Sequence, residues 1–137
     1  MKVAIIACGS RKEDTAMPAE KLYSRSTLFR YAVTYAKKNF QAVYCLSARH
    51  GLLRLTDVIE PYNQALSQLH GKEFKDWLRM VSEQVTKEIP EGSELHFFAG
   101  YKARLLMKWL EEKYQCSAPL TNYTIGKQLK FLKERLA

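Results

Sequence analysis

The chain has 137 residues, 47% hydrophobic and 12% aromatic, enough for one ordinary core and too few for two independent ones. That composition excludes a disordered chain, and no apolar run nears the roughly 20 residues that a membrane-spanning helix needs. Twenty-two Lys and Arg against 14 Asp and Glu give a net charge of +8, which favours polyanionic partners, nucleic acid or nucleotide, through long-range attraction.

The opening run Val3-Ala4-Ile5-Ile6-Ala7 turns polar at Gly9. It is too short for the core of a signal peptide and reads as a strand buried on both faces, so a cytoplasmic protein is expected. A polar loop follows from Arg11 to about Ser24, longer than the usual connection and pinned at its end by Leu22 and Tyr23. From Ser26, a natural N-cap, Phe29, Ala32, Val33 and Ala36 fall at helical spacing, and Lys37-Lys38 suit the C-terminal end of that helix. Gln41 to Ser47 reads as the second strand. Pro61 holds the Glu60-Pro61-Tyr62-Asn63 segment extended. A helix from Gly71 to Ile89 buries Phe74, Leu78, Val81 and Val85, with Trp77 beside them, and stops at Pro90 and Gly92. Leu95 to Ala99 is the third strand, followed by a helix through Tyr114 with Leu106, Trp109, Leu110 and Lys113 on one face. Ile125, Leu129, Leu132 and Leu136 mark a final helix. A further short strand between Arg54 and Ile59 stays open. The order predicts one α/β domain over residues 1–137, a small three-layer structure with a central, mostly parallel sheet flanked by helices.

In such sheets ligands sit outside the carboxyl ends of the strands. The three ends carry Cys8-Gly9-Ser10-Arg11-Lys12, Ser47-Ala48-Arg49-His50-Gly51 and Ala99-Gly100-Tyr101-Lys102, each with a glycine and a hydroxyl or cationic group. The first has neither P-loop nor GxGxxG spacing, which argues against ATP hydrolysis and dinucleotide binding. Gly9, Ser10, Arg11 and Lys12 can still hold a phosphate, or form a solvated basic turn. His50 titrates near neutrality and is the candidate for proton transfer; it can equally be a turn residue bonded to backbone. His70 and His96 read as a helix-start and a strand residue, and no metal site or cofactor is implied. In Glu60-Pro61-Tyr62-Asn63 a carboxylate can orient water or support a cationic sugar, an aromatic can stack, and an amide can read a base edge. The alternative is a proline turn with Tyr62 packed as a lid on the core. Cys45 reads as a core residue. Cys8, at a strand end, is either a small packing residue or a reactive thiol. The Lys127, Lys130, Lys133, Arg135 group reads as a solvated helix face.

The ordered series CGSRK at 8–12, Leu22-Tyr23-Ser24, LSARHGL at 46–52, Glu60-Pro61-Tyr62-Asn63, Gly100-Tyr101 and Ile125-Gly126-Lys127-Gln128-Leu129 resembles a family of uncharacterised bacterial and phage proteins defined as a domain of unknown function. More distantly, the CGSRK start and the small α/β layout resemble the uracil-DNA-glycosylase-like domain of archaeosine synthase. The GQDPYH-like and HPSPLS-like motifs of uracil-DNA glycosylases are missing. The resemblance implies a nucleobase at the strand ends and N-glycosidic cleavage. On that reading His50, Glu60 and Asn63 are the catalytic candidates. Gly9, Ser10, Arg11, Lys12, Tyr23, Ser47, Arg49, Tyr62, Gly100 and Tyr101 would bind the substrate. A non-catalytic nucleotide- or nucleic-acid-binding module, of phage or defence type, is the alternative expectation.

Overall fold

The computed structural model describes residues 1–8 and 14–136. Its central sheet has five strands: β1 (Lys2–Ala7), β3 (Ala42–Ser47), β4 (Gly51–Arg54), β6 (Glu94–Phe98) and β7 (Gln115–Ser117), in the order β4-β3-β1-β6-β7. β3, β1, β6 and β7 run parallel, and β4 folds back antiparallel along β3. The expected mostly parallel α/β sheet, covered by helices on both faces, is what forms.

The alternation of β1 builds both layers at once. Val3 and Ile5 pack into one core with Trp77, Val81 and Val85 of α3 (Gly71–Glu88), while Ala4 and Ile6 pack into the other with Phe29, Ala32 and Val33 of α2 (Thr27–Asn39). All four β1 side chains are at most 2% exposed, as a strand buried on both faces requires. The α3 face also receives α4 (Tyr101–Arg104) and α5 (Leu106–Leu110). The α2 face receives α6 (Ile125–Leu136) through Leu132. Ser26 caps α2 as expected, its Oγ accepting the Phe29 N–H at 3.2 Å.

Four details differ from the sequence reading. The 11–24 stretch is not plain loop: Met17–Pro18 (β2) pairs antiparallel with Val58–Ile59 (β5), and α1 (Ala19–Leu22) follows. Proline fits there because a two-strand ribbon edge does not need its N–H. The helix expected through Tyr114 breaks at Leu105 and ends at Leu110. Tyr114 instead turns inward and donates its hydroxyl to the Ile89 carbonyl at 2.7 Å, closing the C-terminal end of α3, and the chain enters β7. Trp109 is 41% exposed and Ile125 66% exposed, so each stands at the open edge of the helix face it shares with Leu106 or Leu132. Finally, β4 is a real strand, joined to β3 by a three-residue turn closed by Gly51 at φ 75°, a hairpin loop that requires a left-handed residue.

Candidate functional site

The helix after β1 lies on one face of the sheet and the helices after β6 lie on the other. The neighbouring carboxyl ends of β1 and β6 therefore diverge into a crevice, the usual ligand position in doubly wound sheets. A cavity of about 250 Å³ opens there. Its floor is Ile6, Ala7 and Cys8 from β1 and Phe98, Ala99 and Gly100 from β6. Its far wall comes from the first turns of α2 and α6, which bring Ser26, Leu28, Ile125 and Gln128 to the rim. Thr124 caps α6, its Oγ1 accepting the Lys127 N–H at 3.2 Å. Two N-terminal helix ends, with their free N–H groups and positive dipole ends, thus converge on one mouth. Gln128 donates to the Tyr123 carbonyl at 3.1 Å, which fixes its amide at the rim.

A second, smaller cavity of about 120 Å³ lies on the other face of the β1 end. Ala7 and Cys8 line it too, with Ala48, Tyr62, Leu66 and Trp77. The last residues of β1 therefore form a sill between the two spaces.

Beside that sill the β3–β4 turn is held from three directions. Trp77 Nε1 donates to the Ser47 carbonyl at 3.1 Å, with the pair buried. Gln84 donates to the His50 carbonyl at 3.1 Å and accepts the Leu52 N–H at 2.8 Å. Ser47 Oγ accepts the Arg49 and His50 N–H groups at 3.1 and 3.0 Å. The Cys8 N–H donates to the Leu46 carbonyl at 3.0 Å, which sets Cys8 next to Ser47. The Tyr62 hydroxyl lies 2.6 Å from Ser47 Oγ and 2.5 Å from the Tyr23 hydroxyl. The His50 ring meets the Tyr62 ring edge-on, with centroids 5.5 Å apart. Burial and the neighbouring Arg49 cation hold the His50 imidazole below its ordinary value, so it is a neutral base at neutral pH. Burial pushes the Tyr62 phenol up. Burial, then Cys8 and Tyr62, pushes Tyr23 far higher still. Both phenols keep their protons.

Of the residues singled out in the sequence, Ser47, His50, Tyr62 and Tyr23 come together here. Tyr23 is not a stacking face: it is 0% exposed, packed under Phe29 at 5.6 Å and reached only through its hydroxyl. Arg49 is exposed at the tip of the turn. Glu60 and Asn63 are exposed on either side of the half-buried Tyr62, and neither lines the two cavities. Gly100 lines the crevice, whereas Tyr101 is 70% exposed. Lys102 is turned away, its ammonium bonded to the Leu69 carbonyl and lying 5.0 Å over the Phe74 ring. Gly9, Ser10, Arg11 and Lys12 lie outside the described residues, so the phosphate role expected of them has no geometry to report. Gln128 and Ser26 were missed as rim residues. Ser26 had been explained as a cap and α6 as a solvated face, and nothing local told that their first turns would meet.

Among the described residues no three His, Cys, Asp or Glu side chains are grouped to hold a metal ion, and no helix is long and apolar enough to cross a membrane. No curated protein and no solved structure matches the chain. A family model described as a family of unknown function, DUF6884, matches residues 3–134, nearly the whole chain and every element that builds the crevice, and the chain belongs to that family.

Proposed function

We propose that the protein is a nucleobase- or nucleotide-directed enzyme, a hydrolase of the N-glycosidic kind, working where the β1 end separates the two cavities. The observation that carries this reading is the crevice itself: a largely apolar slot with two helix N-termini at its mouth. A volume of about 250 Å³ is near the lower end of ligand pockets, roughly 300 to 1,000 Å³, which suits one base or nucleoside rather than a dinucleotide. The base would lie against Phe98 and Leu28, with the Gln128 amide and Ser26 hydroxyl at its polar edge. The phosphate would meet the helix ends under the pull of the +8 charge.

The sugar would then rest across the sill, with water on the Tyr62 side. Net hydrolysis breaks the C1′–N bond and its electron pair leaves with the base. Water adds its oxygen to C1′, and the neutral His50 imidazole accepts the proton. Glu60, from the Tyr62 side, would support the developing positive charge on the sugar.

The test is release of free base, read by mass spectrometry, when the protein is incubated with DNA, RNA and free nucleotides. Loss of a general base typically costs about 100-fold or more, so His50→Ala and Glu60→Gln should each fall that far. Full activity in both would end this assignment of roles. The outward placement of Glu60 and Asn63 favours a second reading, a binding module without turnover. Binding that weakens steeply with salt would then identify a polynucleotide, and a weak salt response a free nucleotide.

A further inference from the structure

We infer that the crevice takes its base from a single-stranded polynucleotide, which stacks flanking bases on Tyr101 and Tyr123 at the mouth and runs its phosphates along α6. The occupant of the crevice rests on the nucleotide reading above; the surface around the mouth is a separate observation.

Among the described residues six large apolar side chains are exposed, and three of them, Tyr101, Tyr123 and Ile125, belong to the segments that form the mouth. Apolar side chains exposed singly are ordinary, whereas a group of them rimmed by polar residues marks an interaction site. Tyr101, 70% exposed, directly follows Gly100 of the crevice floor and opens α4. Tyr123 lies two residues before Ile125 of the crevice wall. Its carbonyl accepts the Gln128 amide at 3.1 Å, and its ring meets Phe131 edge-on with centroids 6.0 Å apart. Both backbone and ring of Tyr123 are therefore held in place at the rim.

Charge decides what kind of partner these rings meet. The mouth segments 24–28, 98–102 and 120–128 carry Arg25, Lys102 and Lys127 and no Asp or Glu. Asp14 reaches Arg25 from outside them, at 3.6 Å. From the mouth, exposed Lys127, Lys130 and Lys133 follow at three-residue steps on one side of α6. At 1.5 Å per residue they make a track about 9 Å long that leads away from the crevice. Among the described residues none of the three has an ion-pair partner. The one carboxylate of α6 is Glu134, and Arg135 lies over the Phe131 ring at 4.0 Å. The basic face that the sequence shows as solvated thus begins at the site itself. Rings beside a row of cations are what single strands need, since bases stack on the rings and the backbone follows the charge. A duplex fits less well, because its paired and stacked bases cannot enter a recess without being extruded.

The test follows fluorescence anisotropy of the full chain with a labelled single strand about 12 nucleotides long, a length within the range that such surfaces cover. The strand is used as DNA and as RNA, and the competitors are a blunt duplex of the same sequence and a mononucleotide. At least one strand should bind about ten-fold tighter than either competitor, and the tighter of the two names the sugar. Tyr101→Ala and Tyr123→Ala should each weaken strand binding about ten-fold, the loss of one stacked base. With Lys127→Ala, Lys130→Ala and Lys133→Ala combined, the slope of log affinity against log salt should shrink by about two, since each phosphate contact on a single strand contributes about 0.7. A duplex or mononucleotide that binds as tightly as the strands overturns the inference. So does strand affinity unchanged in both tyrosine variants, or an unchanged salt slope in the lysine variant. Mononucleotide binding with no advantage for a strand removes the strand and leaves the nucleotide reading in place. Strand binding with these sensitivities but no release of base removes the hydrolase and keeps the strand surface.

Discussion

The two sides of the β1 end are built by opposite means. On the β3 side the turn is held by hydrogen bonds: the Ser47 carbonyl takes Trp77, the Ser47 hydroxyl takes two N–H groups and Tyr62, and Gln84 closes the turn at both His50 and Leu52. On the β6 side the walls are apolar, a space stays open, and the polar groups stand at the rim. One side is fixed and the other is empty. A site needs both, since an open slot selects a ligand only if the groups that act on it cannot drift.

The largest test of the fixed side is Trp77→Ala. Trp77 is 3% exposed and carries both the indole bond to Ser47 and the centre of the α3 core. Removal of a buried aromatic of this size typically costs about 3 to 5 kcal/mol, which a urea unfolding midpoint will show. Gly51→Ala comes next. Its φ of 75° is strained for alanine, and an added Cβ would lie 2.2 Å from Gln84 Oε1, the atom that accepts the Leu52 N–H. The left-handed backbone alone costs about 1 to 2 kcal/mol, and displaced Gln84 adds the loss of its bonds. The double variant Gly51→Ala, Gln84→Ala should relieve the clash but keep the backbone cost. If the double variant is no better than the sum of the singles, contact with Gln84 is not the cause. Tyr62→Phe should cost less, about 1 to 2 kcal/mol, because it leaves the buried Ser47 hydroxyl without its phenol partner. An equal stability for Tyr62→Phe and wild type would mean that water replaces the phenol there.

Legibility in the sequence followed the same division. β1, α2 and α3 were readable because each carries its own period: the unbroken 3–7 run, the Phe29 to Ala36 stripe and the Phe74 to Val85 stripe. The strands that were missed, β2, β4 and β7, and β5, which falls inside the Arg54 to Ile59 stretch left open as a strand, have two to four residues each, too few for a period of two to stand out. Their pairing is decided by what they meet, as with Met17 against Ile59. The hairpin at β4 did carry a local sign, a glycine after three turn residues at the end of an apolar strand, and its meaning as a left-handed closing position was available. The polar chain was legible only in pieces. Tyr23 and Tyr62 are 39 residues apart, and no spacing rule brings their hydroxyls together. Ser47 showed only as a polar residue at the end of an apolar strand, and that a tyrosine would come to its hydroxyl from the Pro61 segment is a tertiary event. The sequence pointed to Tyr23 as a substrate-binding residue; the structure buries it completely, with its hydroxyl bonded to Tyr62.

The smallest expected effect bears on His50, and it separates the fixed side from the rest of the chain by pH. The folded state holds the His50 imidazole low, first by burial and then by Arg49. In the unfolded chain the same group binds its proton at the ordinary value near 6.5. Between the two values the unfolded state carries more protons than the folded one, so stability rises with pH across that window. The contribution is fully present above the ordinary value and is lost as pH falls toward the depressed folded one. His96, lowered by burial and by Lys2, adds a slope of the same sign from the middle of β6, so wild type alone cannot apportion the effect. His50→Gln and His96→Gln should each flatten part of the loss of stability from neutral to mildly acidic pH, and the double variant should flatten most of it. Urea midpoints followed from about pH 5 to 8, the window in which histidine titrates, check this: a double variant that loses stability as steeply as wild type would assign the loss to other groups.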